Sequence, residues 1–405
     1  MLHENYKIKA SVLAIVLSLL LQYPVFAQNT KSEINNSGFI ENMNNSFTNF
    51  KDSVSGNFNN FQQQQQQAFE DFKKQIQKKW GSGNFAYSDS VNWVEYYKDN
   101  NARSTVNFKE GTATIQLLQT PEDAENSQKT VKDITEAIHE LVLTKGKTDN
   151  FEDDNTVPEE LSNEAVLKDQ LTTNEGIPVT EENINTYTSE IIKTKDIKKT
   201  HITGTDGESR VMVSVSIPLA PDYLKVRAEK ILPLVTKYAN KYNIEPELIL
   251  GVIHIESYFN PKAISHANAI GLMQLVPTSG GMDSYKYVYG ESKQPSRRFL
   301  SNPENNINLG TAYLKILMTT YFEGINNYES RRHCAVSSYN TGVGNVCLTV
   351  SGNKIVRNTV SIINDMTSSE TYRYLSKNLK YKEAREYVVK VNDKYLMYKR
   401  ILEYE

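Results

Sequence analysis

The chain has 405 residues, of which 39% are hydrophobic and 23% charged, and its formal net charge at pH 7 is −3. This length and apolar content allow two or three domains, each with its own core. The six histidines show no metal-ligand spacing, and the chain has no H-E-x-x-H motif, phosphate-binding loop or nucleophile elbow. We therefore predict no metal site and no other cofactor.

The two halves of the chain differ in charge. Residues 28–218 contain 19 Lys and Arg against 30 Asp and Glu, a balance of −11, whereas residues 219–405 contain 24 against 17, a balance of +7. A cationic surface suits a polyanionic polymer, and nucleic acid would be attracted equally well. Because the positive charge is spread and no nucleic-acid motif is present, we predict that nucleic acid is not a partner and that part of the charge is ordinary solvated surface.

Residues 1–27 have the pattern of a secretory signal peptide. Lys7 and Lys9 precede an apolar run over residues 10–21, and Ala27 provides a small side chain where a signal peptidase would cut. The alternative is an uncleaved anchor helix, although the run is short for a bilayer span. Residues 28–60 are rich in Asn, Ser and Gly, which predicts a flexible tether.

Residues 61–218 are predicted to form a small mixed α/β domain. Aromatic and aliphatic residues at mostly helical spacing indicate a helix from Phe61 to Trp80. Residues 130–143 follow as a second helix, and the β-branched residues on both sides of 109–111 predict a β-hairpin. The alternation from Val211 to Ile217 predicts a further strand.

An acidic segment interrupts this domain. Residues 149–190 contain twelve Asp and Glu but only one lysine, so we predict a solvated excursion that is either mobile or helical. Calcium binding is the alternative, but these acids lack the spacing and the central glycine of a helix–loop–helix calcium loop.

Residues 219–405 are predicted to be all-α. Asp222 to Asn240 is amphipathic, and Pro246 opens the helix that follows. Further helices are predicted over residues 306–321, 330–339, 360–366 and 372–402, with the glycines at 280, 281, 342 and 344 in loops between them. The predicted fold class is thus α+β, with a small mixed N-terminal domain followed by an all-α domain.

Glu256 is the first candidate for chemistry. On a helix its neighbours one and two turns back are Ile253, Val252 and Ile249, which form one apolar stripe. A carboxyl on a buried stripe loses hydration, so its pKa rises towards the range useful to a general acid. The alternative is a helix that frays after Ile255 and turns Glu256 to solvent.

Several polar residues follow Glu256 at intervals. Asn260-Pro261 is predicted to stop the helix, because proline disfavours helical geometry at the preceding residue. The hydroxyls and amides that could hold an N-acetyl sugar beside an acid are Ser265, Gln274, Tyr339 and Asn340. Each also has an ordinary interpretation, such as a helix cap for Ser265, a surface amide for Gln274 and a turn former for Asn340.

Four ordered blocks carry a family resemblance. They are E-S-x-F-N-P-x-A-x-S at 256–265, G-L-M-Q-x-x-P at 271–277, N-I-x-x-G-x-x-Y-L at 306–314 and Y-N-x-G-x-G at 339–344. Together they resemble the goose-type-lysozyme-like catalytic domain of lytic murein transglycosylases. The segments 107–115 and 295–300 are most similar to the transglycosylase C family. The resemblance implies a lysozyme-like fold for residues 219–405.

The resemblance also implies a reaction without water. Most glycosidases use two carboxylates, with substrate-assisted exceptions. In this family the 2-acetamido group of N-acetylmuramic acid stabilises the cationic carbon, and the C6 hydroxyl of the same sugar attacks, which leaves a 1,6-anhydro end on peptidoglycan. Glu256 would act as acid and then as base, while Ser265, Gln274, Tyr339 and Asn340 would orient the acetamido group and the glutamate. The alternatives are a hydrolytic lysozyme on the same fold and a wall-binding protein without activity.

Two features of the sequence bear on the cellular compartment of the protein. The resemblance and the signal pattern together imply a periplasmic protein, but no cysteine lies near residue 27, whereas members of the family are usually lipoproteins anchored through one. The sequence therefore leaves peripheral membrane association open and indicates no protein partner. The only cysteines, Cys334 and Cys347, can form a disulfide beside Tyr339 in an oxidising compartment, with two separate buried thiols as the equal alternative.

Overall fold

The computed structural model describes residues 66–146, 164–265 and 267–403. Residues Gln64–Glu405, which include all of these, form one compact unit. The predicted signal peptide at 1–27 and tether at 28–60 lie outside the described residues.

The first part of the described chain is built on one antiparallel sheet. Five strands follow the spatial order β1-β2-β3-β5-β4. Their bounds are β1 Asn92–Tyr97, β2 Ala102–Asn107, β3 Thr112–Gln119, β4 Lys198–Thr203 and β5 Ser209–Pro218. Asn107 pairs with Thr112 across the tight connection between β2 and β3, which confirms the predicted hairpin. The predicted strand over Val211–Ile217 is confirmed within β5.

Helices pack on this sheet and close its core. They are α1 (described over residues 66–80), α2 (Pro121–Glu125), α3 (Ser127–Leu143) and α4 (Ile184–Thr194). Because side chains alternate along a strand, every second residue of β3 points into the core, from Ala113 to Leu117. These residues meet Ile134, Ile138 and Leu141 of α3 in one buried cluster, which defines the sheet domain.

The acidic segment differs from the prediction where it is described. Leu167, Leu171, Val179 and Tyr187 are all buried in the core of the sheet domain. Residues 164–190 therefore belong to the packed domain and are not a solvated excursion. The reason is that a few apolar side chains at wide spacing are enough to anchor a chain whose acidic residues face water. The first part, 149–163, lies outside the described residues.

The rest of the chain is helical, as predicted. Its helices are α5 Tyr223–Tyr242, α6 Pro246–Ser257, α7 Gly280–Tyr289, α8 Arg297–Ser301, α9 Pro303–Ile316, α10 Tyr328–Thr341, α11 Val343–Ser351, α12 Val356–Asn364, α13 Ser368–Asn378 and α14 Lys382–Glu403. A π-helical turn, Leu317–Tyr321, extends α9. Helix α6 lies at the centre, with Leu248, Ile249, Val252 and Ile253 fully buried.

Two predictions about this helical domain were wrong in detail. The single helix expected over 372–402 is broken between α13 and α14, where Leu379 takes an extended conformation and buries its side chain against Leu375 and Val388. Of the glycines expected in loops, Gly342 lies between α10 and α11 as predicted, but Gly344 lies inside α11 and Gly280 and Gly281 are the first two residues of α7. A Cβ on Gly281 would lie only 2.9 Å from the Val276 carbonyl oxygen, so this position requires glycine for close packing.

Cys334 and Cys347 are both free thiols, and both are buried. The structure therefore contains two separate buried thiols and no disulfide between them. Cys334 lies in α10 and Cys347 in α11, and burial raises the pKa of the Cys334 thiol well above its ordinary value, with a smaller contribution from Cys347. A protonated thiol in an apolar site acts as a small hydrophobic side chain.

Candidate active site

Glu256 lies in the last turn of α6 with its carboxyl turned towards α14. The Tyr387 hydroxyl of α14 donates a hydrogen bond to Glu256 Oε1 over 2.6 Å. Burial raises the pKa of Glu256 to about 7; the hydrogen bond from Tyr387 acts in the opposite direction, and the negative charge of Glu383 adds a smaller upward contribution. The helix continues through Ser257, so the alternative of a frayed end with a solvent-facing glutamate is wrong.

The end of α6 is fixed to the loop that carries Gln274. The Ser257 hydroxyl donates to the Leu272 carbonyl oxygen over 2.8 Å. The Tyr339 hydroxyl of α10 donates to the next carbonyl, that of Met273, also over 2.8 Å. Burial and the charge of Glu256 both raise the pKa of Tyr339 well above its ordinary value, which shows that this phenol lies near the glutamate. Glu256, Tyr339 and Tyr387 are thus brought together.

Gln274 is part of the framework of the loop. It is only 8% exposed, and its side-chain amide donates to the carbonyl oxygens of Ala263 and Gly271 over 3.0 and 2.9 Å. The surface-amide interpretation is therefore wrong. With both amide hydrogens bound to backbone, the side-chain oxygen of Gln274 is the atom left to accept a hydrogen bond from a ligand.

Ser265 organises a turn in the same loop. Its hydroxyl oxygen accepts hydrogen bonds from the backbone nitrogens of Ala267 and Ala269, each over 3.1 Å. The residue therefore caps a turn rather than a helix, and its hydroxyl hydrogen is free to donate elsewhere. Because Gln274 binds the Ala263 carbonyl two residues before Ser265, the two predicted residues share one loop.

Asn340 is the predicted residue with the fewest contacts. It lies one residue before the end of α10 and makes no side-chain hydrogen bond within the part of the chain that the structure describes. Its partial exposure leaves its amide able to meet a ligand. Among the described residues, no contact joins Asn340 to Glu256, whereas the charge of Glu256 influences the pKa of Tyr339 beside it.

Two residues of the site were missed in the sequence. A sequence pattern does point to Tyr387, because it shares an apolar stripe with Val391, Tyr395 and Tyr398. The stripe does not show which of these tyrosines faces Glu256. Asn306 begins the third motif and is fully buried, with its side chain bound to the Met273 backbone nitrogen and to two backbone carbonyls. It supports the loop from behind, and such a role is visible only in three dimensions.

The described residues offer no group of three or more His, Cys, Asp or Glu side chains that could hold a metal ion. His254, two residues before Glu256, is buried, and its ring Nδ1 shares a hydrogen bond of 2.8 Å with the Tyr398 hydroxyl. Burial lowers the pKa of His254 to about 3, so the ring is neutral and belongs to the core.

Family models match both parts of the chain. Residues 233–358 match the transglycosylase SLT domain, and residues 57–230 match the N-terminal domain of membrane-bound lytic murein transglycosylase C. The half-buried acid at the end of a core helix lies inside the first match. The helical fold and this site define an enzyme of the lytic transglycosylase class.

Relatives match over most of the chain. Membrane-bound lytic murein transglycosylase C of Yersinia enterocolitica is 35% identical over 328 residues, which cover 80% of this chain and 87% of that protein. The protein of the same description from Yersinia pestis is 36% identical over 327 residues, with the same coverage. The chain belongs to the membrane-bound lytic murein transglycosylase C family.

Solved structures of lytic transglycosylases are also similar in part. An inactive mutant of Slt from Pseudomonas aeruginosa is 24% identical with a TM-score of 0.32, and covers 42% of this chain and 24% of that chain. The complex of a 70-kDa soluble lytic transglycosylase with bulgecin A is 23% identical with a TM-score of 0.34, and covers 45% of this chain and 26% of that chain.

Proposed function

We propose that the protein cleaves the β-1,4 bond between N-acetylmuramic acid and N-acetylglucosamine in peptidoglycan and leaves a 1,6-anhydro end. Glu256 protonates the bridging oxygen and then, as a carboxylate, takes the proton of the C6 hydroxyl that closes the anhydro ring. A group that performs both transfers works best with a pKa near the working pH. The observation that carries the proposal is the half-buried Glu256 carboxyl at the end of α6, held by Tyr387 and with its pKa raised to about 7.

The remaining candidates would place the 2-acetamido group of the substrate. The Ser265 hydroxyl hydrogen and the Gln274 side-chain oxygen would each meet this group, since the other polar atoms of these two side chains bind the backbone. Tyr339 would hold the backbone at Met273 and form one wall beside Glu256. Asn340 would contact the sugar through its unbound amide. This arrangement supports the acetamido oxygen, rather than a second carboxylate, as the group that stabilises the cationic carbon.

We further propose the organisation of the whole chain. Residues 1–27 are a signal peptide that directs export to the periplasm, residues 28–60 a tether, residues 61–218 the N-terminal domain and residues 219–405 the catalytic domain. The relatives are described as membrane-bound, which supports association with a membrane. Among the described residues, no helix is long and apolar enough to cross one.

The test is mass spectrometry of the muropeptides released from purified peptidoglycan by the protein from Gln28 onward. Anhydro ends are lighter than hydrolysed ends by one water, so the two reactions separate. We expect anhydro ends from the wild type, none from Glu256→Gln, and undiminished release from Glu247→Gln, which makes the same change in the first turn of the same helix.

Other outcomes of this test would contradict the proposal. Reducing ends from the wild type would mean that water reaches the cationic carbon, as in a hydrolytic lysozyme. Full activity of Glu256→Gln would remove Glu256 from the reaction. Binding of peptidoglycan by the wild type without any release would indicate a wall-binding protein.

A further inference from the structure

The chain turns sharply just after the candidate acid. Tyr258 and Phe259 have φ values of 48° and 62°, so two consecutive residues with side chains lie in the left-handed region that favours glycine. Such a conformation persists only where the surroundings impose it. Tyr258 packs against the core of the sheet domain, whereas Phe259 is buried in the core of the helical domain. The turn therefore divides two adjacent side chains between two cores.

Arg227 of α5, in the helical domain, connects this turn to the sheet domain. Its guanidinium donates to the Phe259 carbonyl oxygen over 2.5 Å and to Gln170 Oε1 over 2.9 Å. The guanidinium carbon also lies 3.6 Å from the centre of the Phe108 ring. Arg227 is only 6% exposed, and its partners are a carbonyl, an amide and a ring rather than a carboxylate. Gln170 and Phe108 both belong to the sheet domain, so one side chain joins that domain to the turn.

Asn260 makes a second connection one residue later. Its side-chain amide donates to the carbonyl oxygens of Asp89 and Asn92, each over 3.1 Å, at the start of β1. Its side-chain oxygen accepts from the Lys262 backbone nitrogen over 3.1 Å. Asn260 is fully buried, so each of these polar atoms depends on its protein partner.

The same segment leads directly into the site. Glu256 lies two residues before the turn, and Ala263 one residue after Lys262. The Ala263 carbonyl oxygen accepts from the Gly271 backbone nitrogen and from the Gln274 side chain. The segment 258–262 thus lies between the candidate acid and the candidate sugar-binding loop, and Arg227 and Asn260 connect it to residues of the sheet domain.

We propose that the sheet domain is a positioning element of the active site, with Arg227 and Asn260 as the positioning residues that act through the segment 258–262. The sheet domain thereby sets the position of the Glu256 carboxyl relative to the Ser265 and Gln274 loop. The inference rests on the proposed role of Glu256 as the acid. It gives the N-terminal domain a task in the reaction itself, separate from any binding to the wall.

The test compares Asn260→Asp with wild type in the full chain from Gln28 onward, by anhydro-muropeptide release as a function of pH and substrate concentration. Aspartate keeps the shape and the bond to Lys262, but places an oxygen against two carbonyl oxygens. We expect kcat to fall by about 10- to 100-fold with KM changed less than about twofold, since a small displacement of a catalytic group costs about that much. The alkaline limb of the pH profile should also move.

Asn308→Asp is the matched control. Asn308 is a buried asparagine of α9 whose partners, Tyr242 and Lys241, both lie in the helical domain. Because the Asn308 side-chain oxygen accepts both bonds, aspartate keeps them, and we expect kcat per folded molecule and the pH profile to stay as in wild type. If Asn260→Asp behaves in the same way, its role is only structural and the inference is wrong.

Two further variants, Arg227→Lys and Glu256→Gln, separate the possible outcomes of this test. If Asn260→Asp does not fold, Arg227→Lys tests the same connection, because lysine keeps the charge but cannot reach both acceptors with a fixed fork. A wild-type kcat for Arg227→Lys would then overturn the inference. Glu256→Gln in the same assay separates the two proposals, since activity in that variant contradicts the proposed function, whereas its inactivity beside a fully active Asn260→Asp contradicts only this inference.

Discussion

Glu256 stabilises the folded protein less than an ordinary surface glutamate would. Burial raises its pKa from 4.5 to about 7, so between these values the folded protein keeps a proton that the unfolded chain releases. The stabilising contribution of the protonated carboxyl is therefore present at low pH and is lost as the pH rises towards 7. Above pH 7 the buried carboxylate lowers the free energy of unfolding.

The first prediction concerns Glu256→Gln, which removes this titration. At pH 8 we expect the free energy of unfolding of the variant to exceed that of wild type by about 3–4 kcal/mol, from about 1.4 kcal/mol for each pKa unit. The advantage should disappear near pH 4. Urea denaturation at pH 4, 6 and 8 measures it. In Glu247→Gln, on the same helix, the free energy of unfolding should change by less than about 0.5 kcal/mol at every pH. A gain in Glu247→Gln equal to that in Glu256→Gln would contradict the explanation.

Tyr387 has a defined influence on the same carboxyl. Its hydrogen bond favours the charged form of Glu256 and so partly offsets the effect of burial. In Tyr387→Phe we expect the pKa of Glu256 to rise further, so that the alkaline limb of the kcat profile moves to higher pH. We also expect kcat to fall by about 10-fold, because the carboxyl loses the contact that orients it.

The control for Tyr387→Phe lies on the same helix. The Tyr395 hydroxyl donates to Glu245 Oε1 over 2.7 Å, at the opposite end of α6 from Glu256. Tyr395→Phe therefore removes a tyrosine–glutamate hydrogen bond without touching the site. It should leave the pH profile of kcat in place, and a shift as large as that of Tyr387→Phe would show that the effect is not local.

At the scale of elements, the site depends on how closely α6 and α14 approach. A Cβ on Gly251 would lie 3.1 Å from the Tyr395 backbone nitrogen and 3.3 Å from the Val391 carbonyl oxygen. Both atoms belong to the backbone of α14, so a side chain at 251 can be accommodated only by moving one helix. The same two helices carry Glu256 and Tyr387.

The prediction at this scale is that Gly251→Ala separates the two helices. We expect a loss of about 1–3 kcal/mol in the free energy of unfolding, which is typical of overpacking, together with a fall in kcat as Tyr387 moves away from Glu256. Urea denaturation and muropeptide release measure the two effects. In Gly344→Ala, by contrast, the new methyl group would lie 3.6 Å from the Lys354 side chain, an ordinary contact. That variant should be as stable as wild type, and equal losses at both positions would contradict the packing argument.

At the scale of the whole molecule, Arg227 makes the two domains interdependent. Arg227→Met would leave the Phe259 carbonyl and the Gln170 side-chain oxygen buried without their donor, at a cost of about 2–4 kcal/mol for two unsatisfied acceptors. We therefore expect the wild type to unfold in one calorimetric transition, and Arg227→Met to unfold at lower temperature with the sheet and helical domains separating.

Arg210→Met is the control for this calorimetric experiment. Arg210 forms an ion pair of 2.7 Å with Asp206 inside the sheet domain, and the two side chains are 19% and 17% exposed. Its loss should cost about 1 kcal/mol or less, as for other pairs near the surface, and should keep a single transition. Two transitions in the wild type would contradict the interdependence of the domains.

The local sequence pattern was enough to predict the strands and helices whose hydrophobic periodicity is regular. The β2–β3 hairpin, strand β5 and helix α3 were predicted because alternation and helical spacing are properties of consecutive residues. The break between α13 and α14 was not predicted, because no glycine or proline marks it in the sequence. Leu379 is extended there only because its side chain packs in the core. The core role of residues 164–190 was missed for the same reason.

The sequence by itself determined which residue could serve as the acid. Glu256 ends an apolar stripe, and burial of that stripe alone is sufficient to desolvate a carboxyl and raise its pKa. Only the tertiary structure decided what surrounds that carboxyl, because Tyr387 and the contacts of Arg227 and Asn260 join residues between 32 and 171 positions apart. A pattern of neighbouring residues cannot encode such distances, since they are fixed only when the helices and the sheet pack together.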